Sequence, residues 1–260
     1  MLPVLFGSFV VLILIGCPIA ITLGVSSVSA LMFCSSFDLG VAIQRMFTGV
    51  NSFPLMAIPF FMLAGSLMEL GGISKRIIRF ADTLVGHLTG GLAVAAIIAC
   101  MIFASISGSA VATVAAIGGI IIPEMRARNY PDGYSTAIVT AAGTMGPIIP
   151  PSTTFVIYAS IAGVSVSDMF LGGYIPGILM GITLMIVAVI RAKNLGLPKA
   201  PRSSGREVLR ATREAFLALL SPIIIVGGII SGYFTPTEAG AIGCVYSFVV
   251  GAFIYMISAY

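Results

Sequence analysis

The sequence has 260 residues, of which 58% are hydrophobic and only 8% charged, with 30 Gly, 14 Pro and a net charge of +4, and its mean hydropathy is +1.13. A soluble domain carries about 25% charged residues, so a water-facing globule, a soluble enzyme, a disordered chain and a secreted disulfide scaffold are all excluded. At about 20 apolar residues per crossing there is room for roughly six or seven membrane helices, and the long unbroken apolar runs exclude the alternating pattern of a barrel.

The first run, Leu2 to Phe33, is interrupted by Gly16-Cys17-Pro18, where proline removes a helix hydrogen bond and bends the chain. It has no basic lead and is too long for a signal peptide, so it is expected to remain in the mature protein. A short stretch with Asp38 and Arg45 precedes a second run, Phe53 to Leu70. In residues 71–86, Lys75, Arg76, Arg79 and Asp82 interleave with Ile73, Ile77, Ile78 and Phe80 at helical spacing. That pattern predicts an amphipathic helix at the membrane interface.

A charge-free run from Leu88 to Pro123 follows, with Ser105-Ile106-Ser107-Gly108-Ser109 at its middle. Ser and Gly are poor helix formers, and each half is marginal in length for a crossing. The stretch Glu124 to Asp132 reads as a charged loop. The run from Tyr134 to Ala162 contains Gly143, Gly146, Pro147, Pro150 and Pro151, so it cannot be one continuous helix. Met169 to Ile190 reads as a crossing, 191–214 as a polar connector, and Phe216 to Ile230 and Ala239 to Tyr255 as two more apolar segments.

Twelve of the 13 Lys and Arg fall in 71–86, 123–132 and 191–214. The positive-inside rule places those three connectors in the cytoplasm, so 88–122 must cross an even number of times or not fully. A re-entrant hairpin with a Ser/Gly tip and two short full crossings both satisfy this. The short halves and polar tip favour the hairpin. The modest basic excess reads as this topology signal and not as a nucleic-acid surface.

Irregular backbone at membrane depth is tolerated where it is buried in protein or lines a watery cavity. Ser105 to Ser109 and Gly143 to Thr154 are two such places. Freed carbonyls and hydroxyl oxygens suit a hard cation such as sodium, and helix N-termini suit an anionic group. Paired broken helices are the binding-site pattern of secondary transporters. Small residues also occur wherever membrane helices pack closely, as at Gly118-Gly119 and Gly172-Gly173, but packing alone does not call for Pro-Pro in mid-run. His87 reads as a surface residue, and Asp168 and Glu238 as helix-start acids. Cys17, Cys34, Cys100 and Cys244 read as small hydrophobes. The interiors of the crossings carry no charge, which disfavours a proton relay. There is no phosphate-cradling loop for ATP, no metal cluster and no nucleophile–base pair, so an enzyme is not expected.

Four stretches carry a resemblance: Asn51 to Gly65 (NSFPLMAIPFFMLAG), the Ser-Ile-Ser-Gly-Ser-Ala-Val-Ala-Thr run from Ser105, the Gly-Pro-Ile-Ile-Pro-Pro-Ser run from Gly146, and Thr-Pro-Thr-Glu-Ala from Thr235. In this order the chain resembles the large membrane subunit of TRAP (tripartite ATP-independent periplasmic) transporters. The resemblance implies an all-α membrane protein of elevator type, with a re-entrant hairpin and broken helices in an inverted repeat. It would be a sodium-coupled importer of a carboxylate (a C4-dicarboxylate, a sialic acid or a sugar acid). Its partners would be a periplasmic solute-binding protein and a small four-helix membrane subunit, and it would sit in the bacterial inner membrane with a cytoplasmic N-terminus. No cofactor beyond sodium is implied.

Carried onto this chain, sodium would draw on Ser105, Ser107 and Ser109 and on carbonyls of Gly146, Ile149 and Pro151. Gly108, Ser152, Thr153 and Thr154 are the candidate substrate-cavity residues. The expected organisation is membrane helices and an amphipathic arm as scaffold (1–87), hairpin and broken helix as transport domain (88–162), a membrane helix (163–190), a basic connector (191–214) and the first helices of a second repeat (215–260). Members of the family carry a second hairpin and a second broken helix, whereas this sequence reads as one repeat plus the start of another. The alternative expectation is therefore a truncated, non-transporting scaffold or assembly fragment of such a subunit.

Overall fold

Gly16, with φ +86°, and Pro18 divide the first apolar run into α1 (Leu2–Leu14) and α2 (Ile19–Cys34). The computed structural model describes residues 1–34 and 38–255; residues 35–37, and 256–260 at the end of the expected 215–260 segment, lie outside the described residues. The chain divides into two compact units, Met1–Ser52 and Phe53–Tyr260. In the first, α1 and α2 pack on each other, and α3 (Leu39–Val50) starts at Asp38, whose carboxylate accepts the Gly40 amide at 3.1 Å. No residue of α1 is buried.

The second unit starts with a 3-10 turn, Phe53–Met56, leading into α4 (Ala57–Leu70). It continues through α5 (Ile73–Val85), α6 (Gly91–Ser107), α7 (Ala110–Ala127), α8 (Asp132–Gly143) and α9 (Thr153–Ala162). It ends with α10 (Val166–Asn194), α11 (Gly205–Ile230), α12 (Pro236–Phe248) and a π-helical turn, Val249–Tyr255. No strand occurs among the described residues. Among the described residues, five stretches are long and apolar enough to cross a membrane: 53–70, α7, α10, α11 and 236–255. The fold is that of an all-α membrane protein.

The core is built around α6. All its residues but Ile98, Met101 and Ile102 are buried, because an all-round apolar helix rich in Ala and Gly has no face that prefers water and lets neighbours approach closely. Helices α4, α5, α7, α8, α10 and α11 pack around it. The apolar face of α5, with Ile73, Ile77, Ile78 and Ala81 buried, is covered by protein: α5 packs on α6 and α11.

The stretch read as a charged loop and the one read as a polar connector are both partly helical. Helix α7 continues through Pro123 to Ala127. Arg128 just beyond it pairs with Glu124 at 2.5 Å and with Asp82 at 3.4 Å, and Arg126 pairs with Asp132 at 2.8 Å. These charges therefore hold a helix end and its turn together. In the polar stretch 191–214 only 195–204 is irregular. Helix α11 begins inside it because Ser204 and Glu207 form a reciprocal capping box, which satisfies two end amides at once. Glu238 does the same with Thr235 at the start of α12. Ser165 caps α10 by accepting the Asp168 amide at 3.3 Å.

Candidate functional site

The two irregular stretches lie against each other. Helix α6 ends at Ser107, Gly108 turns the chain at φ +61°, and Ser109 caps α7. The second break runs from Thr144 to Ser152 between α8 and α9. A Cβ placed on Gly108 would lie 2.5 Å from the Pro151 carbonyl oxygen, and one on Gly146 would lie 2.6 Å from the Ser109 carbonyl and 2.7 Å from the Ala110 amide nitrogen. Backbone thus touches backbone at both places, an approach only glycine allows. Thr153 ties the two together by donating its hydroxyl to the Gly108 carbonyl at 3.3 Å. Gly65 of α4 gives Ser107 room, since a Cβ there would sit 3.0 Å from the Ser107 Cα.

The hydroxyl protons of Ser105, Ser107, Thr113 and Ser152 are committed. Ser105 donates to the Ile102 carbonyl at 2.6 Å, Thr113 to the Ser109 carbonyl at 2.7 Å, and Ser152 to the Pro147 carbonyl at 2.6 Å. With the Thr113 proton so engaged, Ser107 is the donor in their 3.2 Å pair, and its oxygen accepts the Ser109 amide at 3.5 Å. A hydroxyl has one proton and two lone pairs, so what these groups have left to offer is oxygen lone pairs. Pro147, Pro150 and Pro151 add carbonyls and no amides. That donor set suits a hard cation.

The helix ends sort the charge further. Carbonyl ends of α6 and α8 and amide ends of α7 and α9 all belong to these two breaks, and Gly108 sets the α7 start beside Pro151 and Ser152 at the α9 start. Amide ends attract anions and carbonyl ends attract cations.

The structure therefore brings Ser107, Gly108 and Ser109 together with Gly146, Pro151, Ser152 and Thr153. Ser107 and Ser152 are buried, at 2% and 0% exposure. Of the other expected residues, Ser105 donates its hydroxyl within α6, the Ile149 side chain meets the space beside Gly177 of α10, and Thr154 is exposed. Sequence reasoning missed Thr113, whose position four residues after Ser109 is the signal for a side chain bonding back to that carbonyl. It also missed Gly65. Gly173, read from the sequence as a close-packing glycine, is one: a Cβ there would lie 2.5 Å from the Ile148 carbonyl oxygen, so α10 packs directly on the second break. No cluster of three or more His, Cys, Asp or Glu side chains occurs among the described residues.

Residues 6–258 match the family described as "Tripartite ATP-independent periplasmic transporter, DctM component". The C4-dicarboxylate TRAP transporter large permease protein DctM of Vibrio cholerae is 46% identical over 252 residues, which cover 96% of this chain and 56% of that protein. The isethionate TRAP transporter permease protein DctMQ of Oleidesulfovibrio alaskensis is 44% identical over 98% of this chain and 40% of its own length. The sialic acid TRAP transporter large permease protein SiaM of Vibrio cholerae is 40% identical over 94% of this chain and 57% of its own length. The chain spans about half the length of the curated relatives it matches. It belongs to the DctM component family of tripartite ATP-independent periplasmic transporters, multi-pass membrane proteins of transport and not of catalysis.

Proposed function

We propose that this chain forms the first broken-helix pair of a sodium-coupled TRAP permease that imports a carboxylate through the bacterial inner membrane. The observation that carries the reading is the docking of the two breaks, where oxygen lone pairs from Ser107, Ser109 and Ser152 and the carbonyls around Gly146 to Pro151 meet the amide ends of α7 and α9. Sodium would sit among the oxygens, with Ser105, Ile149 and Pro151 completing the candidate set, and the carboxylate at the amide ends beside Gly108 and Ser152 to Thr154. The arrangement follows the pattern in which half-helix N-termini face an anionic substrate and unwound carbonyls hold its coupling ion. The substrates named for the relatives include C4-dicarboxylate and sialic acid, both carboxylates. Cytoplasmic placement of the basic connectors follows from the positive-inside rule. A small membrane subunit and a periplasmic binding protein complete the transporter, and the fused DctMQ relative supports such a pairing. Alternating access by an elevator motion of the broken-helix region belongs to the same proposal.

The test has two readouts. In proteoliposomes carrying this chain, the small subunit and the binding protein, uptake of labelled C4-dicarboxylate or sialic acid should require a sodium gradient. Thermal unfolding of the purified chain should shift upward in NaCl relative to KCl, since a ligand that binds the folded state stabilises it by RT ln(1 + [L]/Kd). Ser107→Ala should reduce that shift. Stable complex formation without uptake would assign the chain a scaffold role, and uptake indifferent to sodium would remove the ion from the mechanism.

A further inference from the structure

Away from the helix breaks, a cavity of about 400 Å³ opens between α5, the end of α4, Glu214 of α11 and the π-helical turn. A second, of about 390 Å³, adjoins it and shares Arg76, Glu214 and Tyr255 as a common wall. Lys75, Arg76 and Arg79 line the first and Arg213 the second, and among the described residues Glu214 is the one acid lining either. Its carboxylate is already engaged, by Arg79 at 2.8 Å and Arg210 at 3.0 Å. Among the described residues no carboxylate lies within ion-pair distance of Lys75 or Arg213. The walls are therefore cationic by a margin their own acid does not cancel.

This is a held arrangement and not a scatter of surface side chains. The Arg76 guanidinium donates to the carbonyls of Gly71 and Gly72, at 3.3 Å each, and lies 3.9 Å over the Tyr255 ring. The Tyr255 hydroxyl in turn donates to the Glu214 carbonyl at 3.0 Å. A guanidinium fixed in this way has little side-chain freedom left to lose on meeting a phosphate.

The location points to the ligand. The apolar run of α4 ends at Leu70, and α11 changes from charged to apolar immediately after Glu214. The cavities thus sit at the polar–apolar boundary of two candidate spans. Leu70, which lines the first cavity, and Ile254, which lines the second, are 79% and 42% exposed, so apolar surface adjoins the basic wall. By the positive-inside rule this boundary faces the cytoplasm, whose leaflet is the anionic one.

We propose that the cavities bind the headgroup phosphate of an anionic phospholipid, with its acyl chains on the exposed apolar flank. The site goes beyond the transport reading and is independent of the sodium ligands. A soluble phosphate shares the headgroup chemistry but would make no use of Leu70 and Ile254.

The test uses the purified chain in nanodiscs of phosphatidylcholine with a minor fraction of phosphatidylglycerol, with retained lipid counted by native mass spectrometry. Phosphatidylglycerol should be retained in preference to phosphatidylcholine. Lys75→Gln with Arg213→Gln should weaken that retention roughly 25-fold, about fivefold for each basic group removed. Lys75→Gln alone, at an exposed position, should weaken it about fivefold, which keeps the test decisive if the double variant fails to fold. Lys193→Gln with Arg202→Gln, outside both cavities, should leave retention unchanged. Equal retention of the two lipids, or unchanged retention in the Lys75 variants, would overturn the proposal. Displacement of the lipid by inorganic phosphate at matched concentration would overturn it in favour of a soluble ligand.

Discussion

The break between α6 and α7 is one glycine between two helix-end serines, whereas the break between α8 and α9 runs from Thr144 to Ser152 and contains three prolines. The first reverses the chain with a single left-handed residue and closes its exposed ends with hydroxyls from Ser107, Ser109 and Thr113. The second is held at many points. The amides of Ile148 and Ile149 both donate to the Met145 carbonyl, at 3.0 and 2.9 Å, Ser152 bonds back to Pro147, and Gly173 and Gly177 of α10 pack against Ile148 and Ile149. A short break concentrates its dependence on backbone geometry in one residue; a long one spreads it over many. Substitutions should therefore hurt unequally.

The largest effect is expected at Gly108. An alanine there must occupy the left-handed region, at about 1–2 kcal/mol, and its Cβ would meet the Pro151 carbonyl oxygen at 2.5 Å. Unfolding of the purified Gly108→Ala protein in detergent should show a loss of about 3 kcal/mol or more, the left-handed cost and an overpacking cost of about 1–3 kcal/mol acting together. A loss below about 0.5 kcal/mol, the level of a neutral surface change, would mean that the breaks do not dock as described. Gly146→Ala separates the two causes, because Gly146 is not among the glycines with positive φ and only the clash with Ser109 and Ala110 remains. Its cost should be about 1–3 kcal/mol. Gly133→Ala in α8, where a Cβ would meet nothing within 4 Å, should instead be neutral or stabilising by up to about 1 kcal/mol.

What the sequence made legible follows the same division. Proline announces itself because it lacks an amide, so the break after Gly143 could be placed from Pro147, Pro150 and Pro151 alone. Ser-Gly-Ser between two apolar halves marked the other. The docking of Gly146 on Ser109 and Ala110 could not be read, because it is a backbone contact between distant segments and leaves no periodicity. Charge patterning misled in one respect. Glu124 to Asp132 looks like a loop, yet Arg128 with Glu124 and Arg126 with Asp132 form pairs that only three-dimensional proximity reveals. The face of α5 that suggested a membrane surface is instead covered by α6 and α11, since a sequence shows that a face is apolar but not what covers it.

The serine caps should rank next. Ser152 is fully buried and its hydroxyl both donates to Pro147 at 2.6 Å and accepts the Phe155 amide at 3.2 Å, so Ser152→Ala should cost about 1–2 kcal/mol. Ser109 is half-buried and accepts the Ala112 amide at 3.4 Å, so Ser109→Ala should cost about 0.5 kcal/mol, the low end for a cap. Unfolding of the two variants side by side checks the order. A larger loss at Ser109 would break the contrast, because the short break would then depend on a side chain as much as on its glycine.

The smallest effect tests what joins the breaks. Thr153→Val keeps the shape of the side chain and removes its hydrogen bond to the Gly108 carbonyl, a link of 3.3 Å. A net hydrogen bond is worth about 0.5–1.5 kcal/mol, and a long one belongs near the bottom of that range. The informative quantity is its coupling to Gly146→Ala in a double-mutant cycle, since residues that share one contact give non-additive losses while independent ones add within about 0.5 kcal/mol. Strong coupling means that the hydrogen bond forms only when the glycine lets the two backbones meet, so the breaks dock as a unit. Additive losses mean that the link survives without close approach; each break would then keep its geometry alone, and the sodium ion proposed at their junction would have to draw its ligands from one of them.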